Sequence, residues 1–85
     1  MSPDQERFLN LQRLPAILTR DQTGWVLGFQ THEISTLMHK RLLRPLGNPA
    51  ENGGKFFAVV EIEELGRDKR WLARARDTIK DHWLR

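Results

Sequence analysis

Between Thr31 and Leu43 the apolar residues Ile34, Leu37, Met38 and Leu42 recur at helical spacing, which predicts one amphipathic helix. The stretch before it, Thr19-Arg20-Asp21-Gln22-Thr23-Gly24-Trp25-Val26-Leu27-Gly28, predicts a shorter one. Thr19 with Gln22 three residues later is a capping-box pattern. Trp25, Val26 and Leu27 supply the apolar positions, and Gly28 stops the helix where a left-handed residue is wanted. Thr31 is the expected N-cap of the second helix. Gly24 costs roughly 1 kcal/mol relative to Ala inside a helix, and close approach of the second helix is the expected reason for it.

The flanks carry weaker patterns. Ser2-Pro3-Asp4-Gln5-Glu6 looks like a helix start: a cap residue, a proline in the first turn and acids at the positive end of the dipole. Phe8, Leu9, Leu11 and Leu14 extend one apolar edge up to Pro15, which ends it. Ala16-Ile17-Leu18 predicts a short strand or extended lead-in. Turn residues between Arg44-Pro45-Leu46-Gly47 and Lys55-Phe56-Phe57-Ala58 predict a hairpin, with Asn52-Gly53 as a positive-φ turn signal. Phe56 and Phe57 should point to opposite faces of its second strand. Val59 to Leu65 reads as a short helix with Val60, Ile62 and Leu65 partly in the core, broken by Gly66. From Arg67 to Trp83 a long helix follows, with Leu72, Ala75, Ile79 and Trp83 as its stripe.

The order of these motifs resembles a winged helix-turn-helix of the MerR and excisionase type. Val26-Leu27-Gly28-Phe29, Leu42-Leu43, the wing Glu51-Asn52-Gly53-Gly54-Lys55-Phe56-Phe57 and the following Val60-Glu61-Ile62-Glu63-Glu64-Leu65 stand at that family's spacing, over a little more than half the chain. The resemblance implies a mainly α fold with a small β-hairpin. Residues 1–85 are then one winged helix-turn-helix domain, made of an N-terminal helix extension (1–15), a core (18–65) and a C-terminal helix (67–85). It also implies double-stranded DNA as partner, with residues 31–41 in the major groove. The polar face there carries Thr31, His32, Ser35, Thr36, His39 and Lys40. Lys55 matches the basic wing residue that touches the DNA backbone; Arg44 and Asn52 are further contacts on the wing. A solvated polar face and ordinary exposed edge cations are the plain alternatives.

Departures from the pattern change the expected affinity. The family usually carries arginines where His32 and Ser35 stand, an aromatic where Thr36 stands, and glycine in place of Arg41. Without those arginines the helix loses the side chain best suited to bidentate contacts, so it should bind DNA more weakly or through neutral hydrogen bonds.

Composition and charge narrow the classes. Eighty-five residues leave room for one modest core. A net charge of +3, from 14 basic and 11 acidic side chains, permits nucleic-acid binding without arguing for it strongly. Zero cysteines rule out disulfides and thiolate metal sites. His32 and His39 have no third ligand nearby in sequence. Gly53-Gly54-Lys55 lacks the leading glycine, the following Ser or Thr and the helix of a phosphate loop. No nucleophile motif or carboxylate-histidine cluster suggests an enzyme, and no cofactor is implied. With no membrane-spanning run and no address, the default location is the cytoplasm. The expected function is a small transcriptional regulator or recombination accessory factor, with a homodimer contact through the N- or C-terminal helix. A winged-helix protein-interaction adaptor is the alternative, favoured by the acidic run Glu61 to Glu64 and the arginine-poor second helix.

Overall fold

The structure, a computed structural model, describes residues 2–84. Its elements run α1 (Pro3–Leu9), β1 (Ile17–Thr19), α2 (Arg20–Leu27), α3 (Thr31–His39), β2 (Phe56–Ala58), α4 (Val59–Gly66) and α5 (Lys69–Trp83). The chain is mainly helical, with one small antiparallel sheet.

Local hydrogen bonds explain where most helices begin. Ser2 Oγ accepts from the Gln5 N–H at 3.1 Å, with Pro3 at the first helical position. Thr19 Oγ1 accepts from the Gln22 N–H at 3.1 Å, and Gln22 Oε1 accepts from the Thr19 N–H at 3.0 Å, which closes the expected capping box. Asp68 Oδ1 accepts from the Trp71 N–H at 3.0 Å and starts α5. At α3 the cap is Gln30 rather than Thr31, and Glu33 Oε1 takes the Gln30 N–H at 2.8 Å. The Thr31 hydroxyl donates instead to Asp21 Oδ1 at 2.8 Å and ties the start of α3 to α2.

Helix ends correct two expectations. α1 stops at Leu9 instead of reaching residue 14, and Asn10 caps it through Nδ2 to the Glu6 carbonyl at 3.0 Å. Phe8 is buried against Trp25, edge to face at 5.4 Å, but Leu11 is 48% exposed. With Leu11 only half covered, packing does not carry so short a helix further. After α2, Gly28 is left-handed (φ 85), and the N–H groups of Gly28 and Phe29 both donate to the Gly24 carbonyl, at 2.7 and 2.9 Å. A Cβ on Gly24 would lie 2.5 Å from the Phe29 carbonyl oxygen but 3.5 Å from the Ile34 side chain. The glycine therefore admits the chain reversal itself, and the second helix passes at ordinary contact distance.

Arg41 has the left-handed backbone at the end of α3 (φ 63). Leu42 N–H donates to the Leu37 carbonyl at 2.9 Å and Arg41 N–H to the Met38 carbonyl at 3.0 Å, the two bonds of a Schellman motif. A non-glycine residue there costs about 1–2 kcal/mol, partly offset because glycine has more unfolded freedom to lose. Arg41→Gly is expected to raise stability by roughly 0.5–1 kcal/mol, seen as a higher urea midpoint; a lower midpoint would mean that the arginine side chain contributes more than its backbone costs.

The hairpin read from the sequence does not form. β2 pairs antiparallel with β1, Leu18 opposite Phe57. Both side chains are fully buried, so this pairing delivers the inner face of the sheet to the core. Residues 44–55 form a loop, attached to β2 through Leu46 N–H to the Phe56 carbonyl at 2.7 Å. Pro45 has no N–H for a ladder. The expected alternation does hold in β2: Phe57 is 0% and Phe56 47% exposed. In α4, Val59 and Ile62 enter the core while Val60 is 65% exposed, contrary to expectation; Val59 is fixed by its N–H to the Ala16 carbonyl at 2.9 Å. The α5 stripe is buried at Ala75 and Ile79 but leaves Trp83 exposed. One core collects side chains from all these elements, among them Phe8, Leu18, Ile34, Leu37, Phe57, Ile62 and Ile79.

Candidate functional site

Three flanks of α3 meet three different surroundings. Ile34 and Leu37 point into the core. A second flank is covered by α5: Arg76 Nη1 pairs with Glu33 Oε2 at 3.1 Å, and the Arg76 Cζ stands 5.7 Å from the centroid of the Phe29 ring. There the His32 ring lies edge-on to Trp83 at 5.5 Å. The third flank is open. Ser35, Met38 and His39 form one wall of a cleft of about 560 Å3, and Pro45, Glu51, Asn52, Gly53 and Lys55 form the facing wall.

Arg20 stands at the edge of this cleft. It is the first residue of α2, and its Nη1 donates to Ser35 Oγ at 3.0 Å. The facing wall is held by a turn from Ala50 to Gly53, closed by Gly53 N–H to the Ala50 carbonyl at 2.9 Å. Lys55 fastens that turn, its Nζ donating to the carbonyls of Ala50, Glu51 and Gly53 at 2.8, 3.2 and 2.9 Å. Asn52 and Gly53 do not have positive φ; among the described loop glycines it is Gly47 that does (φ 63).

The residues expected to meet DNA therefore divide. Ser35, His39, Asn52 and Lys55 come together around the cleft. Lys40 and Arg44 are exposed but do not line it. Thr31 is engaged with Asp21, and His32 lies against Trp83. Thr36, expected on the polar face, is buried and donates to the His32 carbonyl at 3.1 Å. Arg20 is the residue that sequence reasoning passed over. A cation at the first position of a helix opposes the macrodipole, and that mismatch was the available signal.

The wall chemistry is that of a polar recognition surface: a hydroxyl, an imidazole, an amide, a guanidinium and backbone carbonyls, with Glu51 as the acid among them. No cluster of three His, Cys, Asp or Glu side chains suited to a metal ion occurs among the described residues. No helix among them is long and apolar enough to cross a membrane. No protein-family model, curated protein or solved structure matches the chain.

Proposed function

We propose that the chain is a winged helix-turn-helix module that binds double-stranded DNA, as a small transcriptional regulator or a recombination accessory factor. The observation that carries this is the cleft between the open flank of α3 and the loop 44–55, with the Arg20 guanidinium at its edge. In this reading α2 and α3 are the helix-turn-helix, and the loop is the wing. Ser35 and His39 face base edges in the major groove, where hydroxyl and imidazole hydrogen bonds replace arginine forks. Asn52 and the exposed Lys40 and Arg44 flank the phosphate backbone. A module this small makes a small interface, so two copies on neighbouring half-sites supply useful affinity. An intracellular location in the cytoplasm goes with that role.

An NMR amide titration with a mixed-sequence duplex, at low and then physiological salt, tests the reading. Shifts confined to Arg20, Ser35, His39, Lys40, Arg44 and residues 50–55, weakening with salt, are the expected result. Glu51 lines the cleft and opposes phosphate. Glu51→Gln is expected to tighten duplex binding several-fold at low salt. No shifts at low salt, in the parent and in this variant, would end the DNA reading.

One observation favours the second reading, a protein-interaction adaptor. Ile17 and Phe56 share the outer face of the sheet and are 56% and 47% exposed. Leu46, bonded to Phe56, is 40% exposed beside them. An apolar surface of this kind suits a protein better than a phosphate backbone.

A further inference from the structure

The cleft beside α3 shares a wall with a smaller one of about 280 Å3, lined further by Thr19, Asp21, Gly54 and Phe56. Arg20, Gly53 and Lys55 line both clefts. Two cations thus stand at one junction, and their hydrogen bonding is opposite in kind. The Lys55 ammonium has three hydrogens, and three carbonyls take them, those of Ala50, Glu51 and Gly53. Arg20 has five guanidinium N–H donors, and its one hydrogen bond among the described residues goes to the neutral Ser35 hydroxyl. It makes no ion pair among those residues. Its place at the start of α2 adds the unfavourable field of the helix N-terminus to a charge without an ion pair, although Asp21 and Glu51 line the same clefts.

We propose that these two residues divide between them what a single wing cation would do. Lys55 is a positioning residue, a staple that folds residues 50–55 into the outer wall of the cleft. Arg20 is the residue that binds a DNA phosphate. The assignment rests on the DNA reading above. A Lys55 drawn onto phosphate would leave three carbonyls without their donor and let the wall unfold. Arg20 can take a phosphate bidentately with its remaining donors while Ser35 holds its direction. The side chain that Ser35 orients thus replaces the arginine that α3 lacks.

The test follows the Lys55 ammonium and the Arg20 Nε by 15N NMR during titration with a mixed-sequence duplex, alongside Arg20→Met, Lys55→Met and Lys55→Arg. In the free protein the Lys55 ammonium signal is expected to be protected from exchange, and it stays in place as duplex is added, while Arg20 Nε shifts. Arg20→Met is expected to reduce the slope of log affinity against log salt by about 0.9, the loss of one phosphate contact, with the amide spectrum of residues 50–55 unchanged. Lys55→Met is expected to speed Gly53 amide exchange at an unchanged salt slope. Lys55→Arg keeps the charge and is expected not to restore Gly53 protection. A Lys55 signal that moves with duplex, or a slope that falls in Lys55→Met and not in Arg20→Met, overturns the division while leaving DNA binding intact. Absence of duplex binding at low salt removes the DNA reading and the Arg20 role together. An unprotected Lys55 ammonium in the free protein overturns the staple whatever the duplex does.

Discussion

Gly24→Ala is expected to lower stability by about 2 kcal/mol, and Gly24→Leu to leave the chain largely unfolded. Alanine in an ordinary helix interior would gain about 1 kcal/mol over glycine. Here its Cβ would sit 2.5 Å from the Phe29 carbonyl oxygen. That oxygen cannot swing aside cheaply, because it belongs to the turn in which the Gly28 and Phe29 N–H groups bond to the Gly24 carbonyl. Overpacking costs about 1–3 kcal/mol, and a backbone obstacle argues for the upper end, so about 2 remains after the propensity gain. For a domain of this size the melting temperature should fall by on the order of 10 °C, measured by circular dichroism. Gly66→Ala is the internal control. Its Cβ would meet Leu27 Cδ2 at 3.6 Å, an ordinary contact, and the variant should melt close to the parent. A Gly24→Ala protein as stable as the parent would show that the reversal between α2 and α3 yields.

Phe57→Ala is expected to cost about 3–5 kcal/mol, and Phe56→Ala no more than about 0.5. The two residues are adjacent and chemically identical, so composition and local propensity cannot separate them. The pleat does: Phe57 lies opposite Leu18, and both are fully buried, while Phe56 is 47% exposed opposite Thr19. A domain of this class has about 5–15 kcal/mol in total, so the Phe57 variant should stand near the limit of folding. Urea unfolding of both variants, read at equal slope, decides the matter. Reversed losses, with the Phe56 variant the weaker, would mean that the register of β2 against β1 is wrong by one residue.

The contrast between those two phenylalanines also marks how far the chain is readable. Their alternation was legible because it depends on the period of a strand alone. The Thr19–Gln22 capping box and the left-handed Gly28 were legible for a similar reason, since each is a contact between residues a few positions apart. Arg41 shows the edge of this regime. Its place before Leu42-Leu43 signals a reversal that glycine would suit, and the backbone makes that reversal regardless of the side chain. The candidate site was half legible. Ser35, His39, Asn52 and Lys55 were found because helix and loop positions bring them to one side. Arg20 was missed because its approach to Ser35 spans the turn between two helices.

Local order, then, belongs to the sequence by itself: the helix starts at Ser2 and Thr19, the stop at Gly28, the core positions Ile34 and Leu37 of α3 and Ala75 and Ile79 of α5, and the opposed directions of Phe56 and Phe57. These follow from hydrogen bonds and side-chain periods within one element, where chain connectivity already holds the partners close. The tertiary structure decided the rest. It gave β2 to β1 instead of to the loop before it, a pairing that buries Leu18 opposite Phe57, while Pro45 has no N–H for a hairpin ladder. It ended α1 at Leu9 and left Leu11 about half exposed. It buried Thr36, and in the loop it committed all three Lys55 hydrogens to carbonyls. Each of these depends on which distant surfaces meet, and a polar residue's exposure or availability is a property of its neighbours in space.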